Sequence, residues 1–362
     1  MKESRIIKNK QIASNVAWSL IGKITTLASS LFVGVLVARY LGPNQYGTMN
    51  YAISFVNLFL IIATFGFENI EIREEAKQEK EKLKILGTVF TLRSILSLFT
   101  FILIGIVAFI NETDFNTFGV ILLYAITVMM TPFDVIRNYF TSIVRNEYIV
   151  KISIFTTVIS AIVKLFLVFH HFGLIYFVGS LVFDATTLAM GYCFVYTKNI
   201  GKIQDWKFDK CWAIYILKQS FPLLLSGAAA TIFLQIDQVM IGNMINKSSV
   251  GYFSVASKFI EILIYVPTIL IQTVCPVLVR KRSVDVQEYK VNSQTFMNIT
   301  VWLCAICGIL TCLCSYWVII ITFGEKYYSS IAVLQILSFK IIGVALNIIS
   351  GQLLIIEEKQ KL

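Results

Sequence analysis

Residues 85–110 read ILGTVFTLRSILSLFTFILIGIVAFI, with Arg93 the one ionisable side chain in the run. A helix rises 1.5 Å per residue, and about 20 apolar residues cross the ~30 Å hydrocarbon core of a bilayer. This stretch therefore reads as a membrane span, and the pattern recurs outward from it in both directions. Ten candidate spans result, at about 14–38, 48–67, 85–110, 117–140, 152–169, 174–196, 219–242, 250–274, 295–322 and 328–355. Composition agrees: 57% of the 362 residues are apolar and 14% charged, against roughly 45–50% and about 25% in soluble domains. A soluble globule is excluded, and an all-α polytopic membrane protein in a lipid bilayer is expected. The net charge of +10 sits between apolar blocks instead of along a stripe with interleaved aromatics, so no nucleic-acid partner is implied.

Lys and Arg in short loops are retained on the cytoplasmic side, so their distribution sets orientation. With the N-terminus inside, the inner segments carry Lys2, Arg5, Lys8 and Lys10; Arg73, Lys77, Lys80, Lys82 and Lys84; Arg145 and Lys151; Lys198, Lys202, Lys207 and Lys210; Arg280, Lys281, Arg282 and Lys290; and Lys359 and Lys361. The outer loops hold only Lys247 and Lys326, with Arg39 at the outer end of the first span. Both termini are thus expected in the cytoplasm. No outer loop is long enough for an external domain, so any substrate is handled within the helices. The first span lacks a small-residue cleavage site after it and reads as a retained helix.

An internal repeat is visible. Leu41-Gly42-Pro43-Asn44-Gln45-Tyr46-Gly47-Thr48-Met49-Asn50-Tyr51-Ala52 matches Ile245-Asn246-Lys247-Ser248-Ser249-Val250-Gly251-Tyr252-Phe253-Ser254-Val255-Ala256 at Gly47/Gly251 and Ala52/Ala256. Both segments occupy the same topological place six spans apart, which makes the repeats parallel, related by an axis along the membrane normal. The expected division is an N-terminal lobe of six helices, residues 1–212, and a C-terminal lobe of four, residues 213–362. Two full units would need about twelve helices, so the second lobe is expected to be incomplete, as a truncated product or a short variant.

Ionisable residues within spans carry the functional argument, because each costs a few kcal/mol at bilayer depth unless it faces a cavity or a partner. Asp134 with Arg137, and Lys258 with Glu261, stand three apart and share a helix face, which favours mutual neutralisation. Lys23, Arg93, Lys164 and Lys340 have no such neighbour within their own helices. Arg93 is near enough to its helix end to snorkel; Lys23 and Lys340 lie close to mid-span. Cations at that depth with no opposite charge along their own helix point to a water-filled, net positive cavity between the two helix sets and to an anionic substrate. Asp237, Glu261 and Asp184 are candidates for ion coupling or for structural pairing. Pro132, Pro222 and Pro267 each remove a backbone hydrogen bond and permit a bend.

Other motifs are read as packing. Cys304-x-x-Cys307 has no histidine near it, so small apolar Cys within a bundle explains it better than a metal. His170 and His171 sit together at an outer turn as loop residues. No metal, cofactor or catalytic residue is expected.

Asn15-Val16-Ala17-Trp18, the run from Phe32 ending in Val37-Ala38-Arg39-Tyr40-Leu41-Gly42-Pro43, and Tyr46-Gly47 resemble the opening of the bacterial polysaccharide flippases of the Wzx type. Phe221-Pro222, Asp237-Gln238-Val239-Met240-Ile241-Gly242 and Val250-Gly251-Tyr252-Phe253 are similar to that family's second-half signature. The resemblance implies a multidrug/oligosaccharidyl-lipid/polysaccharide exporter fold, MATE-like, with two six-helix lobes around a V-shaped cavity. It further implies a bacterial inner-membrane flippase that moves undecaprenyl-pyrophosphate-linked O-antigen or capsule repeat units to the outer leaflet, working beside the polysaccharide polymerase machinery. Lys23, Arg93, Lys164 and Lys340 then become candidate headgroup contacts, and Asp237 a candidate through its place in the motif. A multidrug or cation exporter, a lipid II flippase and a membrane-embedded polymerase are the alternatives. The polymerase would want a large outer loop or an intramembrane nucleophile and base.

Overall fold

Gly42 and Pro43 decide how the chain enters the bundle. In a computed structural model that describes residues 2–112 and 114–356, α1 (Lys2–Thr64) is one helical run, but Gly42 inside it takes φ 70° and ψ 173°. That backbone is open to glycine, and Pro43 behind it has no N–H to give, so two helices meet at a kink. Lys359 and Lys361 lie outside the described residues, as do the side chains of Lys2, Arg5, Lys8, Lys10 and Arg280 and the Asn15-Val16-Ala17 motif.

The remaining helices are α2 (Phe67–Lys77), α3 (Lys82–Asn111), α4 (Phe115–Ala125), α5 (Asp134–Ser142), α6 (Asn146–Phe169), α7 (Leu174–Asn199), α8 (Lys210–Met244), α9 (Lys247–Val284), α10 (Val286–Phe323), α11 (Ser330–Ser338) and α12 (Lys340–Ile356). A tighter 3₁₀ stretch, Ile126–Phe133, joins α4 to α5 and contains Pro132. Among the described residues nine stretches are long and apolar enough to cross a membrane. The first, Ile21–Lys77, has 57 residues. As a straight helix it would be about 85 Å long, nearly three times the hydrocarbon thickness of ~30 Å, so it holds both of the first two expected spans. The chain is a multi-pass membrane protein, and large apolar side chains such as Phe32, Phe109 and Phe169 are exposed along these helices, where lipid replaces water.

The chain divides into two compact units, Met1–Val250 and Gly251–Leu362. The expected division after residue 212 follows the repeat; by packing the break falls later, because α8 lies against α1, α2 and α3. In the first unit α1 also packs on α6, and α6 on α7. Its core gathers Phe67, Leu86, Ile136, Phe140, Tyr196 and Ile216. Small residues let the helices approach closely, as in membrane bundles generally: a Cβ at Gly227 on α8 would lie 2.8 Å from Ile61 Cδ1 of α1. In the second unit α10 packs on α11 and α12, and buried Tyr327 meets Tyr252 and Phe323. Cys304 is buried and Cys307 half-buried on α10.

Candidate functional site

α2 is a short amphipathic helix that Gly66, at φ 67°, swings back against the first unit. Glu68, Glu71 and Glu75 follow at spacings of three and four, so they fall along one side of it. Glu71 is fully buried, and its partner arrives from α3: Arg93 Nη2 donates to Glu71 Oε2 at 3.0 Å. Asn138 of α5 donates to the same oxygen at 2.7 Å. Arg93 Nη1 donates to the Thr131 carbonyl at 3.4 Å and lies 4.0 Å from Asp134. Taking two ions out of water costs several kcal/mol for each, and their attraction with the added hydrogen bonds offsets this only while both are present. Glu75 is also buried, with Ser142 of α5 as its polar neighbour.

Arg137, one turn before Thr141 on α5, is held less firmly. It lies 3.4 Å from Glu68 and 3.9 Å from Asp134, with its side chain 35% exposed. Arg93, Asp134, Arg137, Glu68, Asn69 and Thr64 form one wall of a cavity of about 410 Å³. The rest of the lining is largely uncharged and comes mainly from α8, through Leu223, Ser226, Gly227 and Ala230. The polar wall has two guanidinium groups against two carboxylates, so it is balanced in charge where a net positive lining was expected. Chemically the cavity offers a movable guanidinium at one side and a largely uncharged surface at the other.

Arg93 and Lys164 are not the uncompensated cations the sequence reading makes of them. Each has a carboxylate on another helix, which spacing along one helix cannot reveal. Lys164 Nζ of α6 donates to Asp184 Oδ2 of α7 at 2.7 Å and to Ser160 Oγ at 2.6 Å. The structure thus joins a residue expected to bind substrate to one expected to couple ions. Lys23 is exposed on α1, Asp237 exposed on α8, and Glu261 exposed on α9; Lys340 is half-buried at the start of α12. Asp134 and Arg137 pair as expected, whereas no ion pair joins Lys258 to Glu261 among the described residues. Glu71, Glu75 and Asn138 are absent from the sequence reading, which treats the segment after residue 67 as a polar connection. The helical spacing of Glu68, Glu71 and Glu75 was the available signal.

This arrangement of helices defines a membrane transporter fold of the MATE type. A MATE multidrug-resistance transporter of the MOP superfamily, solved in its inward-facing conformation, superposes with TM-score 0.66 at 12% identity, over 91% of this chain and 83% of that one. The MATE multidrug transporter DinF-BH gives TM-score 0.63 at 13% identity, over 97% of this chain and 84% of that one. Residues 12–282 match the family described as "Polysaccharide biosynthesis protein", and the chain belongs to that family. A Shigella flexneri protein named "Putative O-antigen transporter" is 26% identical over 351 residues, covering 92% of this chain and 80% of its own length.

Proposed function

We propose that the protein is a lipid-linked oligosaccharide flippase. It moves undecaprenyl-pyrophosphate-linked O-antigen or capsule repeat units from the cytoplasmic to the outer leaflet of the bacterial inner membrane. Family membership and the O-antigen transporter relative support this class of substrate. The observation that carries the reading is the cavity whose one wall offers Arg93 and Arg137 and whose remaining lining, mainly from α8, is largely uncharged. Ion pairs on partly exposed side chains are worth about 0–1 kcal/mol, so a diphosphate can take Arg137 from Glu68 and Asp134. Arg93 is fixed by Glu71 and acts through its field rather than by moving.

Lys23 and Lys340 are proposed as further headgroup contacts, and Asp237 and Glu261, exposed on their helices, as ion-coupling groups. Lys164 with Asp184 serves chiefly to join α6 to α7. The concentration of Lys and Arg between alternate spans supports cytoplasmic termini. The carried unit would pass to the polymerase machinery on the outer side. Complementation of a strain lacking its repeat-unit flippase tests the proposal. Restored surface polysaccharide is expected, and none despite stable insertion would overturn it. The MATE fold favours drug export as the second reading, and export of a cationic dye by the same cells without restored polysaccharide would select it.

A further inference from the structure

Lys247 is one of only two lysines in the outer loops, and its surroundings explain why it is there. Its ammonium lies 3.2 Å from Glu112 Oε1, at the C-terminal end of α3, and 3.1 Å from the centre of the Tyr51 ring on α1. The Tyr51 hydroxyl donates to the same Glu112 oxygen and lies 2.6 Å from Asn243 Oδ1 on α8. Tyr51 is fully buried, and a Cβ at Gly242 would run into its ring, so α8 comes this close because residue 242 is glycine. Two side chains from α1 and α3 thus grip two from the end of α8 and the start of α9.

The rest of α8 gives this contact its meaning. Ala213, Ile216 and Ser220 are buried near its start, while between Phe221 and Gln238 no residue is buried. Pro222 stands at the boundary, where it removes a backbone hydrogen bond and permits a bend. Past it, Leu223, Ser226, Gly227 and Ala230 line the cavity. α8 is therefore anchored by packing at one end, free to bend next to the anchor, and held at the far end by charge and hydrogen bonds.

We infer that Tyr51, Glu112, Asn243 and Lys247 form a latch that keeps the far end of α8 closed against α1 and α3 and must open for substrate to leave there. The inference rests on the transporter reading, in which one helix set moves against the other. When the latch opens water can take over the Lys247 ammonium, which is 20% exposed, while Glu112, at 7%, keeps the Tyr51 hydroxyl as its partner.

The test uses the full chain carrying Ala230→Cys as a cavity reporter, with the unaltered chain as baseline for its native cysteines. A membrane-impermeant maleimide is applied to whole cells and, separately, to inside-out vesicles. Glu112→Gln and Lys247→Met are each expected to raise labelling from the cell exterior severalfold, and the exchange Glu112→Lys with Lys247→Glu to return it toward baseline. Unchanged exterior labelling in stable single variants, or a rise confined to vesicles, overturns the latch. Should the charge variants lose abundance, Tyr51→Phe keeps the ring and removes only the hydroxyl: raised labelling supports the latch, unchanged labelling overturns it. Labelling needs no saccharide, so a latch that responds in a chain that restores no polysaccharide would overturn the transport reading alone.

Discussion

Replacing Arg93 with leucine would leave the fully buried Glu71 carboxyl with Asn138 as its one hydrogen-bond partner among the described residues. Removal of one partner from a buried ion pair costs about 3–5 kcal/mol, because the remaining charge keeps its desolvation penalty and loses its compensation. That is a large share of the stability of a typical domain, about 5–15 kcal/mol. Arg93→Leu is therefore expected to lower both membrane abundance and the thermal midpoint of the detergent-solubilised protein. Replacing both partners, Arg93→Leu with Glu71→Leu, removes the stranded carboxyl and should recover most of that loss, since apolar pairs often match buried ion pairs in stability. Asn138 then keeps one amide hydrogen unanswered, so recovery falls short by about 1–3 kcal/mol. The four proteins form a double-mutant cycle, read by thermal midpoint, with surface polysaccharide scored in parallel. A coupling of less than about 1 kcal/mol would refute the placement of this pair in a sealed interior. A double variant that regains stability without regaining polysaccharide would show that the Arg93 field serves transport and not only the fold.

Arg137→Gln gives up its ion pairs to Glu68 and Asp134 and two long hydrogen bonds, 3.3 Å each, to Asn138 Oδ1, so abundance should hold within about 1 kcal/mol of stability while surface polysaccharide falls. Equal loss of both, measured on the same cells, would make Arg137 a structural residue. Lys164→Met should destabilise more than the double change Lys164→Met with Asp184→Leu, by thermal midpoint, because the single change leaves the partly buried Asp184 with the Ser160 hydroxyl in place of its cation. Asp114 caps α4, accepting from Thr117 Oγ1 at 2.6 Å and from the backbone N–H groups of Asn116 and Thr117, and these bonds hold its carboxyl below the usual range. Its contribution is thus present above the unfolded-state pKa and lost as pH falls through the lower folded-state value. Asp114→Asn should flatten the acid side of a melting-against-pH profile, and an unchanged profile would speak against the cap.

The helices were legible because lipid demands what spacing displays: about 20 apolar residues per crossing, interrupted by charge. The break between the first two spans, where Gly42 and Pro43 stand, could be read in the same way, since each residue type acts on its own backbone. The charge partners could not. Glu71 stands 22 residues from Arg93 and Asp184 stands 20 from Lys164, on different helices. Spacing along one helix identifies neighbours three or four apart, such as Asp134 and Arg137, and says nothing of those across a packed interface. Glu71 and Glu75 were hidden for a further reason. They follow the second apolar block and precede a lysine-rich stretch, so they read as solvated loop residues. Gly66 instead turns α2 inward and carries both carboxylates into the core.

The charged groups of the first unit differ in how firmly they are held, and that difference separates scaffold from moving parts. Arg93 with Glu71 is buried on both sides and anchored by a third hydrogen bond from Asn138, so no ligand exchanges with it cheaply. Arg137 is partly exposed and shared at longer distances, and Lys247 is partly exposed at the far end of α8. A transporter needs groups that change partners within a cycle, and only contacts worth about a kcal/mol can do so without unfolding their surroundings. Position along the sequence puts Arg93 among the candidate substrate contacts and leaves Arg137 out as a paired residue. The strength with which each charge is already satisfied ranks Arg137 above it, and makes the firmly paired cation the support that positions the loosely paired one.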